Sequence, residues 1–253
     1  MELPSIVDVI DTFPELFGND FNIFQYDLRG HGKSPGKKCY IEDFSFYMED
    51  LKEIIRHLSQ KYRMNRYVLF GHSMGALITC SFMQSYVENE FYPERVVINA
   101  PPVGAHGILD IIVRSLPPVF FQQASQLPYS LKVPGLVDLN WLSHDPRVKE
   151  EFKEDNLNSL SLHSKLIFEL IKTAKDTFSR PLRVRCAAYL SYGTSDRVVG
   201  VNPMHEYFTM VDKSFNVKVF DGAYHEIHNE IEKYKKPYFD YLKIVMNEVL
   251  YIE

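Results

Sequence analysis

Tyr67-Val68-Leu69-Phe70-Gly71-His72-Ser73-Met74-Gly75 sets an apolar run directly before G-x-S-x-G, and the stretch from Ala76 to Val87 continues with a helix-like pattern. The run predicts a buried strand, the sequel a helix, and the pentapeptide between them a sharp strand-to-helix turn. Such a turn lifts the serine clear of the sheet in a strained backbone conformation. Gly71 and Gly75 are expected where strand and helix backbones come too close for a Cβ. Ser73 is therefore the candidate nucleophile, with Gly71, His72 and Gly75 completing the elbow. The pentapeptide alone reads more readily as an ordinary turn capped by Ser73, so its flanks carry the argument.

A serine hydroxyl by itself is a weak nucleophile. It needs a histidine to take its proton and a carboxylate to orient that histidine, here in the chain order Ser, Asp, His. Cys186 to Gly193 reads as a buried strand, and the loop after it, Thr194-Ser195-Asp196-Arg197-Val198-Val199, puts Asp196 just past the strand end. Phe215 to Phe220 alternates as a strand, and Asp221-Gly222-Ala223-Tyr224-His225-Glu226 is the loop that follows. Catalytic groups of parallel α/β sheets collect beyond the carboxyl ends of the strands, so Ser73, Asp196 and His225 are expected on one rim. Taken singly, Asp196 reads better as a turn-forming residue and His225 as a loop histidine bonded to backbone, and only their placement relative to the strand ends and Ser73 reverses that. Asp221, Glu226 and Glu230 lie nearer His225 in sequence, but close neighbours rarely point at one another's ring, which favours Asp196. His228 reads as a packing or surface residue.

These motifs, together with Asp27-Leu28-Arg29-Gly30-His31-Gly32-Lys33-Ser34 and Gly193-Thr194-Ser195-Asp196, resemble the serine α/β-hydrolases, and most closely their monoacylglycerol lipase and lysophospholipase branch. The resemblance implies a mostly parallel sheet flanked by helices, with a helical cap inserted after the sixth family strand. The expected division is a core of residues 1–100 and 181–253 and a cap of residues 101–180. Trp141-Leu142-Ser143-His144-Asp145-Pro146 and Phe152-Lys153-Glu154-Asp155-Asn156-Leu157 match that cap more loosely. The resemblance also implies catalysis by Ser73, Asp196 and His225, an oxyanion donor at the Met74 N–H, and no cofactor or metal.

The helix expected at Val7 to Phe17 is normally preceded in these hydrolases by further strands, and the chain starts almost at that helix. The first strands are therefore expected to be missing. With them goes a His-Gly segment whose backbone supplies the second oxyanion N–H, and one such donor is worth about a hundred- to a thousandfold in rate. His31-Gly32 does not replace it, since it belongs to the loop after the next strand. Three explanations compete: a shortened chain, restructuring of Ser5-Ile6-Val7 to cover the gap, or a non-catalytic relative. Truncation of an enzyme is favoured.

Elsewhere, strands are expected at Phe21–Tyr26 and Arg95–Ala100 and helices at Ile41–Lys61 and Asn229–Leu250. On the first of these helices Phe44, Met48, Leu51, Ile54, Ile55 and Leu58 share one side and His57 lies on the polar one. A chain of 253 residues with a net charge of −5 has length for one substantial core and no basic stripe for nucleic acid. Cys39, Cys80 and Cys186 show neither C-x-x-C nor metal spacing, which fits free thiols and, with no leader-like or membrane-spanning run, a cytoplasmic location. The nine histidines form no His-Glu-x-x-His, and Arg29-Gly30-His31-Gly32 lacks the Gly-Lys-Ser/Thr of a phosphate cradle.

Ile111, Ile112, Val113, Leu116, Val119, Phe120 and Phe121 offer apolar surface for an acyl chain or a lipid surface, or simply pack the cap onto the core. The expected substrate is a lipid or small-molecule ester, with transient membrane-surface contact through the cap. An epoxide hydrolase or dehalogenase would carry Asp at position 73. A prolyl aminopeptidase would need acidic cap groups, for which Glu150, Glu151, Glu154 and Asp155 are candidates that look like a solvated helical face. A binding protein without catalysis is the remaining alternative.

Overall fold

The structure is a computed structural model that describes residues 12–250. Its centre is a parallel four-stranded sheet of β1 (Val68–His72), β2 (Arg95–Asn99), β5 (Ala187–Gly193) and β6 (Phe215–Phe220), in the order β1-β2-β5-β6. The register pairs Val68 with Arg95, Arg95 with Ala187, and Ala188 with Phe215. Between β2 and β5 lie α4 (Ile108–Ser115), α5 (Pro118–Ser125), α6 (Pro146–Glu154), α7 (Ser164–Thr177) and a small antiparallel pair, β3 (Lys132–Pro134) with β4 (Ser161–His163). The remaining helices are α1 (Thr12–Phe17), α2 (Ser45–Tyr62), α3 (Met74–Ser85), α8 (Val201–Glu206) and α9 (Glu232–Leu250).

A parallel strand covered on both faces must be apolar on both, as β2 is, whereas the edge strand β6 leaves Asn216, Lys218 and Val219 exposed. Successive residues of β2 go to opposite sides: Val96 and Ile98 join a core with α2, α3 and α7, while Val97 joins one with Phe13 and Phe17 of α1 and Tyr238, Leu242 and Val245 of α9. The amphipathic side of α2 buries Tyr47, Met48, Leu51 and Ile55, with Phe44 buried just before it, and leaves His57 exposed. Helix α2 begins at Ser45 rather than Ile41, because Asp43 Oδ1 accepts from the Ser45 N–H at 2.8 Å and turns the chain there. The last helix begins at Glu232, after a single 3-10 turn at Ile227–Asn229.

The strand expected at Phe21–Tyr26 is absent. The segment carries no regular structure, although its side chains divide between the two cores as a strand's would, Phe21 and Ile23 on one and Tyr26 on the other. A strand needs a neighbour for its backbone groups, and among the described residues none stands between this segment and β1. The part of the expected Val7–Phe17 helix before Thr12, and Ser5-Ile6-Val7 with it, lies outside the described residues.

The 101–180 region is not helical throughout, since it contains the β3–β4 ribbon, and His163 N donates to Cys39 O at 3.0 Å to tie that ribbon to the core. Its last helix, α7, also buries Leu166 and Ala174 in the same core as α3. No described helix is long and apolar enough to cross a membrane.

Candidate active site

The sharpness of the β1–α3 turn is visible in the backbone. Ser73 sits at φ 51°, ψ −118°, a conformation that L residues rarely adopt and that the surrounding bonds must hold in place. Ser73 N donates to Asn99 O at 2.9 Å, anchoring the elbow to the end of β2. A Cβ on Gly71 would stand 2.6 Å from Gly75 O and 2.7 Å from Thr79 Oγ1, so glycine is required there. Gly75 differs from the expectation: a Cβ on it would meet nothing within 4 Å outside its own helix. The close approach is one-sided, because the helix turns its backbone oxygen, and not its Cβ direction, toward the strand.

Two other strand ends deliver Asp196 and His225. Past β5, Ser195 N donates to Ala223 O at 3.0 Å, and past β6, Gly222 N donates to Thr194 Oγ1 at 2.8 Å, so the two loops brace each other. A Cβ on Gly193 would fall 2.1 Å from Ala223 O, which makes glycine the condition for that approach. Asp196 Oδ1 accepts from Val198 N at 2.7 Å and Val199 N at 3.1 Å, leaving Oδ2 to face His225 Nδ1 at 2.7 Å. His225 Nε2 stands 3.0 Å from Ser73 Oγ. A carboxylate only accepts, so Nδ1 carries the proton and the free pair on Nε2 is aimed at the serine hydroxyl. Ser73 lies 152 residues from His225 and Asp196 29 residues from it, and the three thus form one continuous hydrogen-bonded relay.

Burial lowers the affinity of the His225 ring for a proton, but the charge of Asp196, its hydrogen bond and the charge of Glu226 outweigh burial, so the pKa is raised above the usual histidine value. His72 packs against this ring, and His228 packs against His72. The His72 ring lies 4.7 Å from that of His225 and 4.9 Å from that of His228. Burial, followed by the neighbouring histidines, holds His72 well below the ordinary range, and burial with His225 lowers His228 to about 3. Both are neutral packing groups near neutrality, and neither contributes a second positive charge beside His225.

Asp221, Glu226 and Glu230 each hydrogen-bond to a group other than this ring. Asp221 accepts from Thr194 Oγ1 at 2.9 Å, and Glu226 accepts from Asn229 Nδ2 at 3.0 Å. Glu230 binds the chain around His225 rather than its ring, with Tyr224 N donating to it at 2.8 Å. His228 is buried, 2% exposed, with no protein partner for either ring nitrogen among the described residues. The Met74 N–H occupies the first turn of α3, where a helix offers no internal acceptor and the dipole favours negative charge. The His-Gly segment expected to be missing belongs before Val7, in a stretch that lies outside the described residues.

Sequence reasoning missed Asn99 and Ser191. Asn99 Nδ2 donates to Ser191 O and Oγ, both at 3.0 Å, which turns Oδ1 toward His72 Nδ1 at 2.6 Å and makes that nitrogen the protonated one. The available signal was a polar residue ending the apolar run Val96-Val97-Ile98, at the same rim as the other strand ends. The Arg29–Ser34 loop bonds to itself and to α2: Lys33 N donates to Asp27 Oδ2 at 2.8 Å and Arg29 to Asp50 at 2.6 Å. Among the described residues no three His, Cys, Asp or Glu side chains converge as a metal site.

A family model described as "Serine aminopeptidase, S33" matches residues 7–232. The chain belongs to the serine aminopeptidase S33 family. Within it the chain is a serine α/β-hydrolase of the monoacylglycerol-lipase-like branch. It is 25% identical over 216 residues to a monoacylglycerol lipase of Mycolicibacterium smegmatis, covering 83% of this chain and 73% of that one. It is likewise 25% identical over 223 residues to the monoglyceride lipase of Rattus norvegicus, covering 84% and 68%. Among solved structures, the monoacylglycerol lipase of Paleococcus ferrophilus superposes with a TM-score of 0.77 at 21% identity, covering 95% of this chain and 89% of that one. A soluble variant of the Saccharomyces cerevisiae monoglyceride lipase in complex with a substrate analogue gives 0.72 at 17% identity, covering 89% and 76%. These likenesses establish the α/β-hydrolase fold for this S33 member.

Proposed function

We propose that this protein hydrolyses carboxylic esters with an apolar acyl part, monoacylglycerols or lysophospholipids, through an acyl-enzyme on Ser73. The observation that carries the reading is the relay from Asp196 through His225 to a serine held at positive φ on a strand-to-helix elbow. His225 Nε2 takes the Ser73 hydroxyl proton as Oγ attacks the ester carbonyl, and the Met74 N–H stabilises the oxyanion. Asp196 holds the ring and its developing positive charge. His225 then returns the proton to the leaving alcohol, which departs and leaves the acyl group on Ser73. Water, deprotonated by His225, attacks that acyl carbonyl and releases the carboxylic acid and free serine.

The apolar acyl part is supported by the 101–180 region, which we read as the cap. Phe121 packs inward, while Val119, Phe120, Leu127, Tyr129 and Leu131 remain exposed, more than packing alone requires. The same surface suits brief contact with a membrane, and the three unpaired thiols suit a cytoplasmic setting. The relatives named as monoacylglycerol lipases point the same way.

The aminopeptidase reading fares worse, because an amine-binding subsite needs acids turned toward the nucleophile. Glu150, Glu151 and Glu154 are exposed on α6, and Asp155 caps its end by accepting from Leu157 N at 2.8 Å. The test is labelling by a fluorophosphonate together with turnover of a graded panel of glycerol and choline-headgroup esters and an aminoacyl amide. Labelling and ester turnover that vanish in Ser73→Ala are expected. Amide cleavage without ester cleavage would favour the peptidase, and a folded wild type that neither labels nor turns over would overturn catalysis altogether.

A further inference from the structure

The loop that carries His225 holds a second buried carboxylate that touches none of the reacting atoms. The Glu230 side chain is fully enclosed, and its oxygens accept from four groups of three different segments. Oε1 takes Tyr224 N at 2.8 Å and His144 Nδ1 at 2.7 Å, and Oε2 takes His144 N at 3.0 Å and Ile231 N at 3.1 Å. Ser143 Oγ is a further 3.4 Å from Oε2 and donates to Asn229 O at 2.9 Å.

These bonds continue along the chain on both sides of the catalytic ring. His225 N donates to Trp141 O at 3.4 Å and Glu226 N to Leu142 O at 2.8 Å. Three consecutive N–H groups, of Tyr224, His225 and Glu226, are thus fixed from the strip Trp141–His144, the first by way of Glu230. The His144 ring stacks on Tyr224 with centroids 3.6 Å apart, and the Arg197 guanidinium lies 3.7 Å over Trp141, so the strip also reaches the Asp196 loop.

We propose that Glu230 is a positioning residue, which sets the His225 backbone and couples that setting to the seating of residues 141–144 of the inserted region. The proposal rests on the serine-hydrolase reading above for its effect on rate. Its negative charge is what the place requires. A carboxylate presents acceptors in every direction, and all of its neighbours are donors, whereas the isosteric amide of Gln would aim an N–H at another N–H. The His225 ring lies between Asp196 and Ser73 with bonds of 2.7 and 3.0 Å, and a displacement of about 1 Å at such a site lowers the rate on the order of a hundredfold. Any shift of the 141–144 strip is transmitted to the same three peptide groups.

The test compares Glu230→Gln, Glu230→Asp and His144→Phe with wild type, using a short soluble ester that makes no demand on the acyl site. Glu230→Gln is expected to lower kcat roughly 30- to 100-fold with KM within about twofold, and to slow fluorophosphonate labelling of Ser73 in parallel. The downfield proton resonance of the His225 Nδ1–H to Asp196 bond should broaden or vanish. His144→Phe keeps the ring stack and removes one bond, so a fall of severalfold is expected. If Glu230→Gln does not fold, Glu230→Asp, which shortens the reach by one methylene, gives the same reading to a smaller degree. A folded Glu230 variant with wild-type kcat and an unchanged downfield proton would overturn the proposal. A wild type without turnover whose downfield proton is lost in Glu230→Gln would sink the hydrolase reading while leaving the positioning role intact.

Discussion

The rim beyond β1, β5 and β6 and the outer face of the inserted region are made on opposite terms. At the rim Asp196 and His225 are each 3% exposed, and their polar atoms meet partners supplied by distant parts of the chain. On the insertion Tyr129 is 77% and Leu131 73% exposed, apolar surface facing water. The rim is over-determined: a strained serine, two tight glycine contacts and bracing between loops leave one geometry. Val119, Phe120, Leu127, Tyr129 and Leu131 belong to neither hydrophobic core, so their residue types are free to answer to what the protein meets. In the proposed function, chemistry belongs to the first region and substrate selection to the second, and their separation can be attacked experimentally.

The largest effects belong at the rim. Ser73→Ala should lower kcat by about a millionfold and Asp196→Asn by about ten-thousandfold, both with melting temperatures close to wild type, measured by ester turnover and calorimetry. A loss of only tenfold in Asp196→Asn would mean that the 2.7 Å contact is structural rather than catalytic.

Next comes the contrast between two glycines four residues apart. Gly71→Ala should destabilise the fold by roughly 2 kcal/mol, since a Cβ there meets backbone oxygen at 2.6 Å. Gly75→Ala meets no such obstacle and gains helix propensity, so its stability should equal or exceed wild type. Equal losses in chemical denaturation would break the one-sided picture of the elbow.

The pH dependence separates rim chemistry from rim stability. In the proposed reaction His225 works as a neutral base, and its pKa is raised by Asp196 against burial, so the acid limb of kcat/KM should lie above the usual histidine value of about 6.5. A raised histidine pKa adds stability that is complete below about 6.5 and fades as pH rises through the folded value. His72 and His228 run the other way: the unfolded chain protonates them first, so their stability is present above about 6.5 and declines as pH falls, toward about 3 for His228. On acidification, activity should therefore be lost before the fold. His228→Gln should flatten the decline of stability below pH 6.5. Coincident loss of activity and structure would refute this ordering.

The smallest effects on chemistry belong to the insertion. Phe120→Ser with Leu131→Ser should leave turnover of a short soluble ester within about twofold, while reducing action on long-chain esters in vesicles severalfold. Equal losses on both substrates would show that the outer face is tied to the rim, as the Glu230 network would allow.

The elbow could be read because a nucleophilic serine on a tight turn restricts residue types at fixed spacing, and the same is true of a carboxylate and a histidine placed just past strand ends. Asn99, Ser191 and Glu230 could not be read in that way. Their partners lie 92 and 86 residues away for Asn99–Ser191 and Glu230–His144, and no local pattern marks a polar residue for a bond of such range. Phe21–Tyr26 failed for a related reason, since its composition suits a strand but a strand exists only where a neighbour accepts its hydrogen bonds.

Alternating side chains therefore determined which faces of the sheet would be covered, and the motif spacing determined which serine, acid and histidine to pair. Both are local consequences of backbone periodicity and of what each side chain can donate or accept. Folding in three dimensions decided the remainder: that the close approach at the elbow involves Gly71 and not Gly75, that α7 of the insertion joins the main core, and that a buried glutamate binds the inserted strip to the histidine loop. Those outcomes depend on distances between segments remote in the chain, and such distances are set only when the layers pack.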